Sequence, residues 1–409
     1  MRIRGAALGI LILASAFLSA QELRDRNRDI DESRQIANDL GRASIHKGPI
    51  YLLSSFEFSD IGYGQTFFVP TADQTGGFSF SVRAPHKLYF VPQRKVVFSA
   101  EVTPAYNVLS HATGKNQFGY FLRTDARLLL NHMYIDGYVS RTNDVRTNVA
   151  DIYRLVTLRE TNYGITSTLK YSSRTSLHGS AEYQQSSYPK DKLQPLNVPV
   201  ENLAFDAHNY RVSAHHKTFP LTALLVAAER STYNFAVAKS SDSVRTYAGA
   251  GFAFDDGRTQ LSAEAGPGRL EFRDPAKHDY RGWLAKFTTS RRFSTTWAVN
   301  VSGGRDLVFS IAPNNPYFRR DSIGGQLNWN TTRKLTLHLL GNYGRDSYDT
   351  PVSGVLRRDT LEYIALGWIY TVRHISGGFD VGYFQRKSNS SIADQDSGIR
   401  GTLRLSIRP

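Results

Sequence analysis

From Ile50 onward the chain alternates apolar and polar residues with a period of two, and short polar turns break the alternation at intervals. Residues 324–345, GGQLNWNTTRKLTLHLLGNYGR, show it most plainly. Leu327 and Trp329 fall on one side and Gln326 and Asn328 on the other. After the turn Thr331-Thr332-Arg333, Leu335, Leu337, Leu339 and Tyr343 share a face opposite Thr336, His338 and Asn342. Successive Cβ atoms point to opposite sides of a pleated strand, so this period predicts β-structure with one greasy face. Leu261, Ala263 and Ala265 oppose Ser262 and Glu264 in the same way, and Trp297, Val299 and Val301 oppose Asn300 and Ser302.

The spacing of the turns narrows the architecture. Short turns are expected near Pro92, Asn131, Ser173, Lys217 to Pro220, Asp255-Asp256-Gly257, Arg291, Thr331 and Arg373. Longer polar connections alternate with them at residues 64–76, 110–115, 141–148, 188–202, 238–243, 311–315, 346–356 and 388–397. About 18 strands of roughly ten residues or more result, long enough to cross a hydrocarbon layer when tilted. Sandwich strands average nearer five or six residues, and a propeller needs four short strands per blade. In lipid no sheet edge can stay unpaired, so such strands must close on themselves. Short turns at one end and long loops at the other complete the outer-membrane pattern. The expected fold is therefore all-β, a transmembrane antiparallel β-barrel of about 16–18 strands.

The N-terminus, MRIRGAALGILILASAFLSA, has a basic start at Arg2 and Arg4, an apolar core and a small residue at Ala20. It reads as an export signal over residues 1–20. Residues 21–48 are charged and nearly free of aromatics, a periplasmic linker or short helix, and residues 49–409 form the barrel. Absence of cysteine excludes disulfides, thiolate metal sites and a lipidated cysteine. The formal charge is +14, but the basic residues are scattered and form no block or recognition helix, which argues against a nucleic-acid partner. Many of the 22 tyrosines and 23 phenylalanines sit near strand ends, as an interfacial girdle would. The last strand ends Ile407-Arg408-Pro409 and lacks the terminal aromatic by which barrel-assembly machinery usually knows its clients.

Residues 303–348 resemble the repeating hairpins of the beta-barrel porin 2 family, through Arg305-Asp306, the Asn-Pro-Tyr-Phe run at 315–318 and the strand closing at Thr331-Thr332. The resemblance is strongest between Tyr247 and Tyr348. It implies an outer-membrane barrel with exopolysaccharide export as its candidate role, and it carries over no catalytic residues.

No His-Glu-x-x-His motif, nucleophile elbow or phosphate loop occurs, and no cofactor or metal is expected. His215-His216 are strand neighbours that cannot face one metal together, and Gly249-Ala250-Gly251 lies mid-strand with no helix after it. The polar face carries the candidate lumen residues: Arg123, Asp125 and Arg127 on one strand, then Lys170, His178, Glu182, Glu264 and Lys286. Asn300, Gln326, Asn328, His338, Asn342 and Asp380 follow. Charges across a lumen set the field that sorts ions, and the basic excess favours anions. The leading reading is an outer-membrane channel for hydrophilic solute. A non-conducting barrel that binds surface polysaccharide or a partner through its loops is the alternative, and a barrel hydrolase using His338 the third. Expected partners are outer-membrane lipid and lipopolysaccharide, the assembly machinery, and polysaccharide or export components.

Overall fold

Among the described residues the alternation becomes 21 strand segments in one antiparallel sheet. The computed structural model describes residues 36–64, 77–93, 95–109, 117–146, 156–189, 200–311, 315–351, 355–389 and 396–407. The export signal, residues 21–35, most of the longer connections and the final Arg408-Pro409 lie outside the described residues.

The strands are β1 (Ile45–Lys47), β2 (Ile50–Ser54), β3 (Phe56–Gly64), β4 (Gly77–Arg83), β5 (His86–Gln93), β6 (Val96–Leu109) and β7 (Gln117–Leu129). Next come β8 (Met133–Arg146), β9 (Val156–Lys170), β10 (Thr175–Ser187), β11 (Phe205–Phe219), β12 (Thr222–Phe235), β13 (Ser243–Asp255) and β14 (Thr259–Phe272). The last are β15 (Tyr280–Arg292), β16 (Trp297–Phe309), β17 (Tyr317–Asn330), β18 (Leu335–Ser347), β19 (Arg358–Val372), β20 (Ile375–Ser388) and β21 (Asp396–Ile407).

From β6 to β21 each strand pairs antiparallel with the next, and β21 returns to β3 through Leu403 opposite Ile61 and Ile407 opposite Phe56. Two staves are interrupted. β2 and β3 form one with a break at Ser55, and β4 and β5 form its neighbour with a break at Ala84-Pro85. Pro85 has no N–H to give a ladder. Its carbonyl accepts from Ser55 N at 3.0 Å, and Ala84 N donates to the Pro104 carbonyl at 3.1 Å, so pairing bridges the interruption. β1 doubles back through Gly48, whose φ of +60° suits glycine, and pairs with β2 beyond the end of β21. Counted as staves, the wall is a closed 18-stranded barrel.

The short turns fall where the sequence predicts them. At Asp255-Asp256-Gly257, Gly257 takes φ +81° and the Asp256 carboxylate accepts from the backbone N–H groups of Arg258 and Thr259. Those donors favour the ionised carboxylate and hold its pKa below the usual range.

The two faces are inverted relative to a soluble protein. Val226, Ile364 and Leu366 are 57%, 53% and 62% exposed on the outer face, while Asp136, Glu264 and Asp359 are buried on the inner one. Large apolar side chains in water would cost free energy over the whole circumference, so the outside is built to meet lipid. Trp297 and Trp329 stack on this face at the short-turn end, their centroids 5.0 Å apart, as interfacial aromatics do. The chain is thus a transmembrane barrel of the outer-membrane type.

An arginine placed among the outward apolar residues separates this reading from a soluble one. Leu366→Arg is expected to destabilise the barrel in lipid vesicles by about 2–4 kcal/mol, read by urea titration of tryptophan emission. Unchanged stability would mean that Leu366 faces water.

Candidate channel lumen and constriction

Inward-pointing polar side chains cannot be left unpaired cheaply, and the inner wall answers with ion-pair clusters spanning neighbouring strands. On β7 and β8, Arg123 bonds Asp125 at 2.7 Å, while Arg127 lies 3.4 Å from Asp125 and 3.5 Å from Asp136. Arg123 also covers the Tyr138 ring at 4.6 Å, and the Tyr138 hydroxyl donates to Glu182 on β10. Across β11 to β15, Arg211 bridges Glu264 at 2.7 Å and Glu229 at 3.2 Å, with Lys286 3.8 Å from Glu264. Further round, Asp380 joins His338 to Arg404. Towards the long-loop end, Arg320 grips Asp346 with two bonds of 2.7 Å, and Arg357 and Arg386 meet on Asp359 at 2.7 and 2.6 Å.

One hairpin leaves the wall. The β15–β16 ladder stops at Ala285 opposite Arg305, although β15 runs on to Tyr280 and β16 to Phe309. The β16–β17 ladder continues to Phe309 opposite Tyr317. Leu307 and Phe309 keep the strand parity of outward Val299 and Val301, yet they pack on inner-wall residues. Leu307 joins Tyr247, Leu270 and Leu284. The Phe309 ring lies 4.8 Å from Tyr233 and 4.9 Å from Phe235. The hairpin has therefore turned into the lumen, with its former lipid face against the inside of the barrel.

Its described end, at Phe309 and Ile311, reaches across the mouth. Phe309 and Ile311 pack against Val156 and Leu158 of β9, Tyr188, and Val200, Leu203 and Ala204 before β11. Asp306 pairs with Arg245 at 2.8 Å, and the Tyr317 hydroxyl donates to Asp349 at 2.9 Å. Asn315 exchanges two hydrogen bonds with the Thr350 backbone at 3.0 and 2.9 Å, which ties the residues after β18 to the start of β17. A small crevice remains between hairpin and wall, lined by Tyr233, Arg245, Leu270, Leu307, Phe309 and Tyr317 among others. A cluster of buried apolar side chains inside a polar lumen is accounted for by this docking.

The short-turn end is narrowed too. Residues 36–41 are helical and lie against the inner face of β2, β5, β6 and β7. Ile36 is buried with Tyr89 and Val97, and Asp39 accepts from the Tyr89 hydroxyl at 2.6 Å and Lys87 Nζ at 3.3 Å. Of the segment expected as linker or short helix, this part is helix followed by β1.

All the candidate lumen residues lie on the inner face by strand parity. The structure joins Arg123, Asp125 and Arg127 to one another, Glu264 to Lys286, and His338 to Asp380. Gln326 donates to Asn328 at 2.7 Å, and Asn342 lies over Gly324, where any Cβ would strike its amide. Asn300 sits opposite Gln326 in the ladder, and Lys170 is exposed near the short-turn rim. His178 contacts Thr168 and Ser176 and meets the His215 ring at 4.4 Å, whereas His216 points out beside Thr175. His215 and His216 thus face opposite ways. Asp136, Arg211, Glu229, Asp346, Asp359 and Arg386 were not among the predicted residues; their inward parity was the available signal.

Two expectations about chemistry meet geometry here. Among the described residues no hydrogen bond joins His338 to a serine, and no group of three potential metal ligands converges. Among the described residues Arg123, Arg127, Arg211, Arg320, Arg386 and Arg404 sit against carboxylates on the inner wall, so this part of the basic excess is not free positive charge and gives the anticipated anion preference little support.

No family model matches the chain, and no curated protein matches its sequence. Solved structures do. Acinetobacter baumannii OccAB3 aligns with TM-score 0.50 and 9% identity over 88% of this chain and 99% of that one. Pseudomonas aeruginosa OccK3 (OpdO) aligns with TM-score 0.47 and 12% identity over 88% and 95%, and the outer membrane protein opdK of the same organism with 0.49 and 10% over 88% and 98%. At 9% identity the OccAB3 alignment shows the fold alone.

Arg211→Ala would leave Glu264 and Glu229 close together without their shared cation. The variant is expected to lose about 3–5 kcal/mol of stability, measured by urea unfolding in vesicles, and Arg211→Lys should recover only part. A loss below 1 kcal/mol would show that the cluster is solvated.

Proposed function

We propose that the protein is an outer-membrane channel for small hydrophilic solutes, and that the in-turned β16–β17 hairpin sets its constriction. The observation that carries the reading is the hairpin: an otherwise continuous wall gives up a stretch of ladder pairing to place Leu307, Phe309 and Ile311 inside the lumen. Barrels of this strand number enclose an aqueous space unless something folds in. Paired charges on the wall supply hydrogen bonds to a passing solute in place of water and set a transverse field without strong net sign.

The exopolysaccharide reading that the family resemblance implies adds one requirement. Passage of a polymer past the docked hairpin would call for the hairpin to swing out of the lumen. Undocking exposes the apolar set around Phe309 to water, an opposing cost that an export partner or the polymer itself would have to meet.

Planar-bilayer recording tests this. The native protein should give small, flickering steps, and deletion of residues 306–318 should raise conductance several-fold. Leu307→Asn with Phe309→Asn, which weakens docking and keeps the chain length, should raise the open fraction. Equal conductance in native protein and both variants would overturn the assignment of the constriction. Silence from all three, correctly folded, would favour a binding barrel.

A further inference from the structure

On the outer face, each strand's apolar run ends at a particular residue towards the long loops, and on several strands the next outward residue is arginine. Arg141 follows Val139, Arg230 follows Ala228, Arg269 follows Pro267 and Arg281 follows Trp283. At the opposite, short-turn end the same face finishes with Trp297, Trp329 and Trp368. Arg291 also stands outward at the short-turn end, opposite Val299, so what sets the long-loop boundary apart is the grouping of arginines on neighbouring strands.

Three of them stand in one row. Arg230 is opposite Thr246, Thr246 opposite Arg269, and Arg269 opposite Arg281, across β12 to β15. Directly opposed side chains on one face lie about 5 Å apart, where like charges repel. Glu271 engages Arg269. Arg230 and Arg281 are exposed and have no ion pair or side-chain hydrogen bond among the described residues. Inside the barrel Arg123, Arg211 and Arg386 each meet a carboxylate, whereas Arg230 and Arg281 meet none among the described residues.

We infer that this row is a binding site for the phosphate groups of the glycolipid that forms the outer leaflet. Guanidinium groups bind phosphate through forked, charge-assisted hydrogen bonds, and Thr246 adds a hydroxyl between them. The depth selects a lipid over free phosphate. Ala228, Ala248, Pro267 and Trp283, one outward position nearer the midplane, are apolar, so an anion tethered to acyl chains is delivered at the height of the row. The long-loop end fixes the leaflet.

Native mass spectrometry of the full-length barrel released from detergent provides the test, with bisphosphorylated lipid A, its dephosphorylated form and phosphatidylethanolamine as probes. Wild type should retain bisphosphorylated lipid A at least tenfold better than either other lipid. R230Q/R269Q/R281Q should lose that preference while keeping native conductance and urea midpoint; R281Q alone, the mildest change, should weaken it several-fold. Inorganic phosphate at the lipid concentration should not displace lipid A. Equal retention of the three lipids, retention by the triple variant, or full displacement by inorganic phosphate would overturn the site. Because the readout is lipid retention, it stands or falls apart from the channel reading.

Discussion

Backbone hydrogen bonding in a medium without water is the constraint on which the rest depends. Every N–H and C=O at lipid depth needs a partner within the protein, and a sheet supplies them all only by closing. Closure forces the strand alternation to sort side chains into an outside and an inside, and the outside must be apolar. Leu366, Ile364 and Val226 are exposed for that reason, and Glu264 and Asp359 are buried for the same one. Even the interrupted staves obey it, since Ser55 and Ala84 bond across the break made by Pro85.

The inside then carries its own demand. Polar groups enclosed in a crowded lumen are costly unless paired, and the wall meets this with carboxylates shared between arginines on neighbouring strands. Shared partners link Arg211 to Glu229 and Glu264, and Arg357 and Arg386 to Asp359. The clusters tie strands of the wall to one another and balance the arginines they contain. The departure of β16 and β17 from the wall is the exception. Its ladder ends at Ala285 and Arg305, and burial of Leu307, Phe309 and Tyr317 against Tyr233, Leu270 and Tyr280 takes the place of the lost pairing.

Alternation is a local property, so strand positions, turns and the inward set could be read from the residues. The Leu335-Leu337-Leu339 stripe and the turn at Gly257 stand where the pattern puts them. The in-turned hairpin could not be read that way. Leu307 and Phe309 continue the parity of Val299 and Val301, and nothing local says that their partners are inner-wall aromatics rather than lipid. Pairing was hidden too: Arg211 meets Glu264 across 53 residues of sequence. The charge balance misled for a related reason, because parity on each strand, and not the total, decides whether an arginine faces a carboxylate inside or the membrane boundary outside.

The claim beneath all of this is that the two faces of each strand meet different media. Since the chain contains no cysteine, single cysteines can be set at successive positions 336–340 of β18 and spin-labelled in proteoliposomes. The account predicts that labels at Leu337 and Leu339 collide freely with dissolved oxygen and hardly with a water-soluble nickel chelate, with those at Thr336, His338 and Leu340 sheltered from oxygen. An oxygen profile without that two-residue alternation, or with its phase reversed, would contradict it.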